Sequence, residues 1–173
     1  MLKMFTTQLT GLFKRLEEKE EYSFEDGARL LAQAPVGDGS IYIFTTKEMK
    51  AVELEALDGA EPFKGVKILA EMEELTDSDR VLLFTRYSSD AAALEVAEPL
   101  HEKGIPFVTV ATAVPGGEQL QELADLLIDL RLTKGLLPDD EGNRYGYPSS
   151  MAALFVYYGL KFTIEEILAE YEE

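Results

Sequence analysis

The stretch RVLLFTRYSSDAAALEVAEPLHEKGIPFVTVA, running from Arg80 to Ala111, decides the fold. Arg80–Thr85 is a continuous apolar run of strand length, and Pro106–Ala111 is a second. Between them lie a turn rich in Ser, Thr and Arg, an amphipathic helix over about Ser89–Lys103, and Gly104 as its C-terminal stop. Two strands joined through a helix must run parallel, so the stretch is one complete βαβ unit. In such units the turn that leads from strand into helix presents backbone N–H groups to anions. That turn, Thr85-Arg86-Tyr87-Ser88-Ser89-Asp90, is the first candidate site.

Similar units extend in both directions. Ser40–Thr45, with Ile41, Ile43 and Phe44 apolar, reads as the first strand, followed by a helix over about Glu48–Asp58. Val66–Leu69 is a short second strand, Gln119–Asp125 a short helix, and Leu126–Leu130 the fifth strand. Ahead of the sheet, Leu2, Phe5, Leu9, Leu12, Phe13 and Leu16 repeat at helical spacing. A second helix is expected from Ser23, with Asp26 in a capping-box position, ending at Pro35. These leading helices are free to pack over the sheet, over each other or against a second subunit. After a loop rich in Gly, Pro and Asp (Gly135–Pro148), one helix is expected over Ser149–Leu160. Thr163 is expected to cap a last one. The segments form a single α/β domain over 1–173: a helical part over 1–35, a sheet core over 40–130, and C-terminal helices over 149–173. The expected architecture is a three-layer sandwich around a five-stranded parallel sheet in the order 2-1-3-4-5.

Composition limits the function classes. The 173 residues are 46% hydrophobic and 28% charged, with a formal net charge of −17. So acidic a surface repels phosphate backbones, and Lys14, Arg15 and Lys19 lie among Glu17, Glu18, Glu20 and Glu21 rather than in a basic patch; nucleic acid is not an expected partner. No apolar run is long enough to span a bilayer, and no signal peptide is evident, so a cytoplasmic location away from membranes is expected. Without Cys and with one His, zinc sites and Ser-His or Cys-His catalysis have little basis. The acidic loop Asp139, Asp140, Glu141 and Asn143 lacks the ligand spacing of a calcium loop and reads as a solvated turn. Neither a cofactor nor a metal is expected.

In a 2-1-3-4-5 sheet the order reverses between strands one and three, and ligands bind at the carboxyl ends there. Two loops meet at that point. The turn after strand three offers Thr85, Arg86, Ser88 and Ser89, with Ser88 or Ser89 also suited to cap its helix. The loop after strand one offers Thr45, Thr46 and Lys47, without the glycines of a phosphate-cradling turn. Ser149 and Ser150, opening the C-terminal helix after Pro148, form a third hydroxyl pair whose simpler reading is an N-cap. Among the carboxylates near the first loop, Glu48, Glu53 and Glu55, none is singled out as a base. His101 sits at the far end of its helix, where it complements the helix dipole.

Three segments carry a family resemblance: GSIYIFTTKEMKAVELEAL from Gly39, LTDSDRVLLFTRYSSDAAALEVAEPLHEKGIPFVTVAT from Leu75, and LADLLIDLRLTKG from Leu123. They resemble the first unit, the second unit (with its D-x-(V/L) strand start) and the A-D-x-x-I-D strand of the SIS (sugar isomerase) domain. Small single-domain members such as phosphoheptose isomerase are the most similar. The C-terminal PDDEGNRYGYPSSMAALFVYYGL also resembles a set of functionally uncharacterised SIS-like proteins of Gram-positive bacteria. The resemblance implies a parallel α/β sandwich, usually dimeric or larger, that binds phosphosugars. The family's phosphate loop is typically S-x-S-G-x-T. Here Thr85 stands at the first Ser, Tyr87 at the second, Ser88 at the Gly and Asp90 at the Thr. In the first loop, Thr45 and Lys47 stand where the family has glycines. An anionic Asp at a phosphate position repels the ligand. The expectation is therefore a domain that binds a phosphosugar or other carbohydrate derivative, without efficient catalysis, as a homodimer or higher oligomer. A sugar-phosphate isomerase of the phosphoheptose type is the alternative, and a dimerisation module with a vestigial pocket is a third reading.

Overall fold

A computed structural model describes residues 1–172. Five strands form one parallel sheet: β1 (Ile41–Thr45), β2 (Lys67–Ile68), β3 (Arg80–Tyr87), β4 (Phe107–Thr112) and β5 (Leu126–Asp129), in the order β2-β1-β3-β4-β5. This is the order expected from the alternation of apolar strands and helices. Ile41, Ile43, Leu82, Phe84, Val108, Val110 and Ile128 pack on one face, while Tyr42, Val81, Leu83 and Phe107 pack on the other. Side chains alternate along each strand, yet both faces are covered, which is why the strands read as unbroken apolar runs. A fully buried Leu contributes about 1.5–3 kcal/mol, and Leu82 and Leu83 each supply one such side chain to opposite layers.

The two covering layers are unequal. One comprises α1 (Leu2–Lys19), α2 (Glu21–Val36), α3 (Lys50–Asp58) and α6 (Ser149–Glu172), packed through Leu12, Leu16, Leu31, Val52, Val156 and Leu160. The other comprises α4 (Ala91–Glu102) and α5 (Glu118–Leu123), packed through Ala93, Ala97, Leu100 and Leu120. The leading helices thus settle over the sheet and α6. A small antiparallel hairpin, β6 (Leu137–Pro138) with β7 (Arg144–Tyr145), lies in the loop before α6. Asp139 closes it by accepting the backbone N–H of Glu141 (2.9 Å) and of Asn143 (2.7 Å).

Acidic residues of the family-like segments join the strands. The Asp79 carboxylate accepts the Ser40 N–H (2.8 Å), the Thr76 N–H (2.8 Å) and the Thr76 hydroxyl (3.1 Å). Burial alone would raise its pKa, but these donors outweigh it and hold the carboxyl below its ordinary value. Asp125 accepts the Phe107 N–H (2.9 Å), and Asp129 accepts those of Ala113 (3.1 Å) and Arg131 (2.8 Å).

Several boundaries differ from the expected ones. α2 begins at Glu21 rather than Ser23, so Asp26 lies within the helix and not in a capping box, and Pro35 is accommodated in the last turn. β3 runs on to Tyr87, with an irregular register between Phe84 and Tyr87, and α4 begins at Ala91. The first loop forms a single 3-10 turn, Lys47–Met49, before α3. The largest difference is at the C-terminus, where the two expected helices are one continuous α6; Glu173 of the expected 149–173 segment lies outside the described residues. Thr163 does not cap a new helix: its hydroxyl donates back to the Gly159 carbonyl (2.9 Å), which leaves the helix intact. Gly159 does not break the helix because it serves packing. A Cβ there would lie 2.5 Å from the Phe24 ring, so the missing side chain lets α2 and α6 approach.

Candidate functional site

The sheet order reverses at the carboxyl ends of β1 and β3, and a cleft of about 490 Å³ opens there. It is lined by Glu48, Arg86, Tyr87, Tyr147, Ser149 and Ser150. Three separate parts of the chain build it. The 3-10 turn after β1 carries Glu48, the bulged end of β3 carries Arg86 and Tyr87, and the start of α6 carries the two serines. Irregularities at the end of a strand commonly re-aim side chains in this way.

Glu48 and Arg86 form the centre. Arg86 Nε donates to Glu48 Oε1 (2.7 Å) and Nη2 to Oε2 (2.8 Å), a two-bond fork. The Ser149 hydroxyl donates to the same Oε1 at 2.8 Å. The hydrogen bonds from Arg86 are the largest influence on Glu48 and outweigh its partial burial, lowering its pKa from 4.5 to about 2. Arg86 is in turn held above its ordinary value by Glu48. At neutral pH the cleft therefore contains a formed ion pair, still partly open to solvent, with side-chain exposures of 39% for Arg86 and 26% for Glu48.

A second network lies directly behind the cleft. Thr85 donates its hydroxyl proton to Asp90 Oδ2 (2.6 Å), and the Tyr87 N–H reaches the same oxygen (3.1 Å). Thr85 is fully buried, and the Thr46 hydroxyl lies 2.8 Å from its oxygen. Since the Thr85 proton goes to Asp90, Thr46 is the donor in that bond. Asp90 has the extended backbone of an N-cap, yet its carboxylate makes no bond to its own helix; it turns back to the strand.

Of the residues singled out from sequence, Arg86, Ser149 and Ser150 line the cleft together. Thr46 and Thr85 sit in the buried network. Thr45 donates to Glu53 Oε1 of α3 at 2.6 Å. Ser88 is buried and neither it nor Ser89 caps α4; the Ser88 Oγ accepts the Val114 N–H at 3.0 Å, and a Cβ on neighbouring Gly117 would fall 1.9 Å from it. Ser89 is exposed on the turn. Lys47 is exposed and holds φ of 49°, the left-handed backbone that glycine adopts freely, so the turn keeps a glycine-type conformation without glycine. His101 lies away from the cleft, near Gly104, Phe107 and Asp125.

Sequence reasoning did not select Glu48 from among its neighbouring carboxylates, nor Tyr87 and Tyr147 as cleft residues. The one available signal for Glu48 was its position at the first turn after strand one. For Tyr147 it was the adjoining Pro148-Ser149. Among the described residues, no group of three or more His, Cys, Asp or Glu is placed to hold a metal ion, and no helix is long and apolar enough to cross a membrane. Chemically, the cleft offers two phenols, two serine hydroxyls and a cation–anion pair. Such a set can both donate to and accept from a ligand with several hydroxyls, while aromatic faces suit the apolar side of a sugar ring.

Comparisons with known proteins agree with this geometry. The Bacillus subtilis (strain 168) protein YwjG, described as uncharacterized, is 48% identical over 172 residues, covering 99% of each chain. The E. coli CFT073 protein c3406, solved in complex with a phosphosugar, superposes with a TM-score of 0.71 at 13% identity, covering 97% of this chain and 89% of its own. The Vibrio vulnificus NanR protein complexed with ManNAc-6P gives a TM-score of 0.66 at 14% identity over 96% of this chain; the match spans 64% of the NanR chain. Phosphoheptose isomerase from Neisseria gonorrhoeae gives 0.59 at 14% identity, covering 96% of this chain and all of its own. The fold is thus that of the SIS sugar isomerase domains, as the three sequence segments implied. By the match of its model over residues 1–168, the chain belongs to the family described as Domain of unknown function (DUF2529).

Proposed function

We propose that this chain binds a carbohydrate derivative in the cleft between β1 and β3 and does not isomerise it. The observation that carries the proposal is the Glu48–Arg86 fork at the sheet's switch point. Glu48 is the one carboxylate lining the cleft, so it is the residue an aldose–ketose proton transfer would use. A general base works best with a pKa near the working pH. Glu48 is held at about 2, both of its oxygens already accept hydrogen bonds, and an ion pair of this kind orients hydroxyl groups rather than removing protons. That neighbours of the same fold were solved with phosphosugars, ManNAc-6P among them, supports a sugar-type ligand.

Thermal-shift and calorimetric titration with a panel of sugars and sugar phosphates tests the binding. A saturable stabilisation, growing with ligand as RT ln(1 + [L]/Kd), is expected for at least one compound. It should be lost in Arg86→Met. Ketose–aldose interconversion assays on the same phosphate panel should show no turnover, and turnover abolished by Glu48→Gln would replace this reading with the isomerase. Self-association is part of the same proposal. A groove of about 580 Å³ lined by Phe24, Phe155, Tyr158 and Phe162 leaves a large apolar surface open. Light scattering at micromolar concentration should report a dimer or larger species, and a monomer would remove this element.

A further inference from the structure

We infer that the anion position at the turn after β3 is filled by the protein's own Asp90 carboxylate, so that the ligand of the cleft is an uncharged carbohydrate without a phosphate group. The inference rests on the carbohydrate-binding reading above and narrows its ligand class. A strand that turns into a helix at the switch point offers hydroxyls, backbone N–H groups and the positive end of the helix dipole to an anion. In this chain an anion is already present there and is covalently attached. Asp90 Oδ2 takes both the hydroxyl proton of buried Thr85 (2.6 Å) and the Tyr87 N–H (3.1 Å). These are donors that an incoming phosphate oxygen would need. The remaining hydroxyl of the turn that is buried, Ser88, faces the β4 side, where it accepts the Val114 N–H. Asp90 is not serving its own helix instead, since its carboxylate makes no capping bond.

The charge balance of the cleft leads the same way. Its cation, Arg86, is bound through two nitrogens to Glu48. A phosphomonoester would therefore meet two carboxylates, Glu48 and Asp90, against one guanidinium that is already paired, within a chain of formal net charge −17. Like charges brought together in a confined site oppose binding strongly. A neutral polyol meets no such opposition. It can accept from Arg86 and the serines, donate to Glu48, and lie against Tyr87 or Tyr147, all of which line the open volume.

The test uses the full chain in calorimetric titrations of free pentoses, hexoses and N-acetylhexosamines, each set against its own phosphomonoester. Inorganic phosphate serves as a probe that is independent of sugar identity. At least one free sugar is expected to bind roughly a hundredfold more tightly than its phosphate. Inorganic phosphate should leave the wild-type melting temperature unchanged, yet stabilise Asp90→Asn, in which the amide oxygen can still accept from Thr85 but the charge is gone. Should Asp90→Asn fold poorly, the wild-type preference alone decides. If the wild type takes a phosphomonoester more tightly than the free sugar, or is stabilised by inorganic phosphate, this inference falls while the carbohydrate-binding reading stands. If no sugar of either kind binds, both fall.

Discussion

Two carboxylates stand at the same edge of the sheet, and the molecule treats them in opposite ways. Glu48 faces open volume and is neutralised by a cation from the adjacent strand. Asp90 faces inward and is held by neutral donors, a hydroxyl and a backbone N–H. One is a surface offered to a ligand; the other completes the backbone of its own turn. The lesson is that a polar residue at a switch point is available only if the fold has not already used its hydrogen-bonding capacity.

The sharpest way to break this contrast is to remove the cation. Arg86→Met leaves Glu48 three-quarters buried without its partner and is expected to cost about 2 kcal/mol, less than a fully buried pair because water screens it. Urea denaturation measures this, and the Arg86→Met/Glu48→Met double variant should recover most of the loss. No recovery would mean that Arg86 contributes through its own packing and not through Glu48.

Acid probes the same pair. Folding lowers the Glu48 pKa from 4.5 to about 2, so the folded state favours the ionised form. Its contribution is complete above about 4.5 and disappears as pH falls through that range towards 2. After allowing for screening, the expected loss is about 1–2 kcal/mol. Comparing pH-dependent stability with that of Glu48→Gln isolates it, and a difference that stays constant across the window contradicts the pairing.

Asp90→Ala should cost about 1 kcal/mol, the price of two neutral hydrogen bonds whose donors lose an acceptor. Unlike the Arg86 effect, it should hardly vary with salt, because no ion pair is broken. A strong salt dependence would show Asp90 to be paired with a cation in solution. The smallest effect is expected at Lys47. Its φ of 49° strains a non-glycine residue, and Lys47→Gly should gain about 0.5 kcal/mol or leave stability unchanged. A loss would mean that the lysine side chain, and not its backbone, holds the turn.

Sequence reasoning reached the sheet because each strand is buried on both faces and so appears as an apolar run bounded by Gly, Pro or acidic residues. Asp79, the acid of the D-x-(V/L) segment, ties Ser40 to Thr76 and fixes the start of two adjacent strands. The C-terminal break was misread for a physical reason. Gly159 and Thr163 resemble a stop and a cap, but the stop is a packing notch for Phe24 and the cap bonds backwards within the helix. At the site, location was legible and orientation was not. Which of Thr85, Arg86 and Tyr87 faces the cleft depends on the register irregularity between Phe84 and Tyr87, which leaves no local trace in composition. Glu48 and Arg86 lie 38 residues apart in sequence, so their pairing exists only once β1 and β3 are adjacent.

The unbroken α6 has a mechanical consequence. At 24 residues it is a rod of roughly 36 Å, bonded to Glu48 through Ser149 at one end and wedged against Phe24 at Gly159 further along. With the Phe24 ring seated in that notch, the helix has little room to bend there, so a shift of Ser149 on ligand binding would tilt the whole rod about that contact. The cleft and the apolar groove would then be the two arms of one lever. Hydrogen-exchange protection that changes near Phe162 when the cleft is filled would register the motion; a change confined to the first turn of α6 would show that the rod bends.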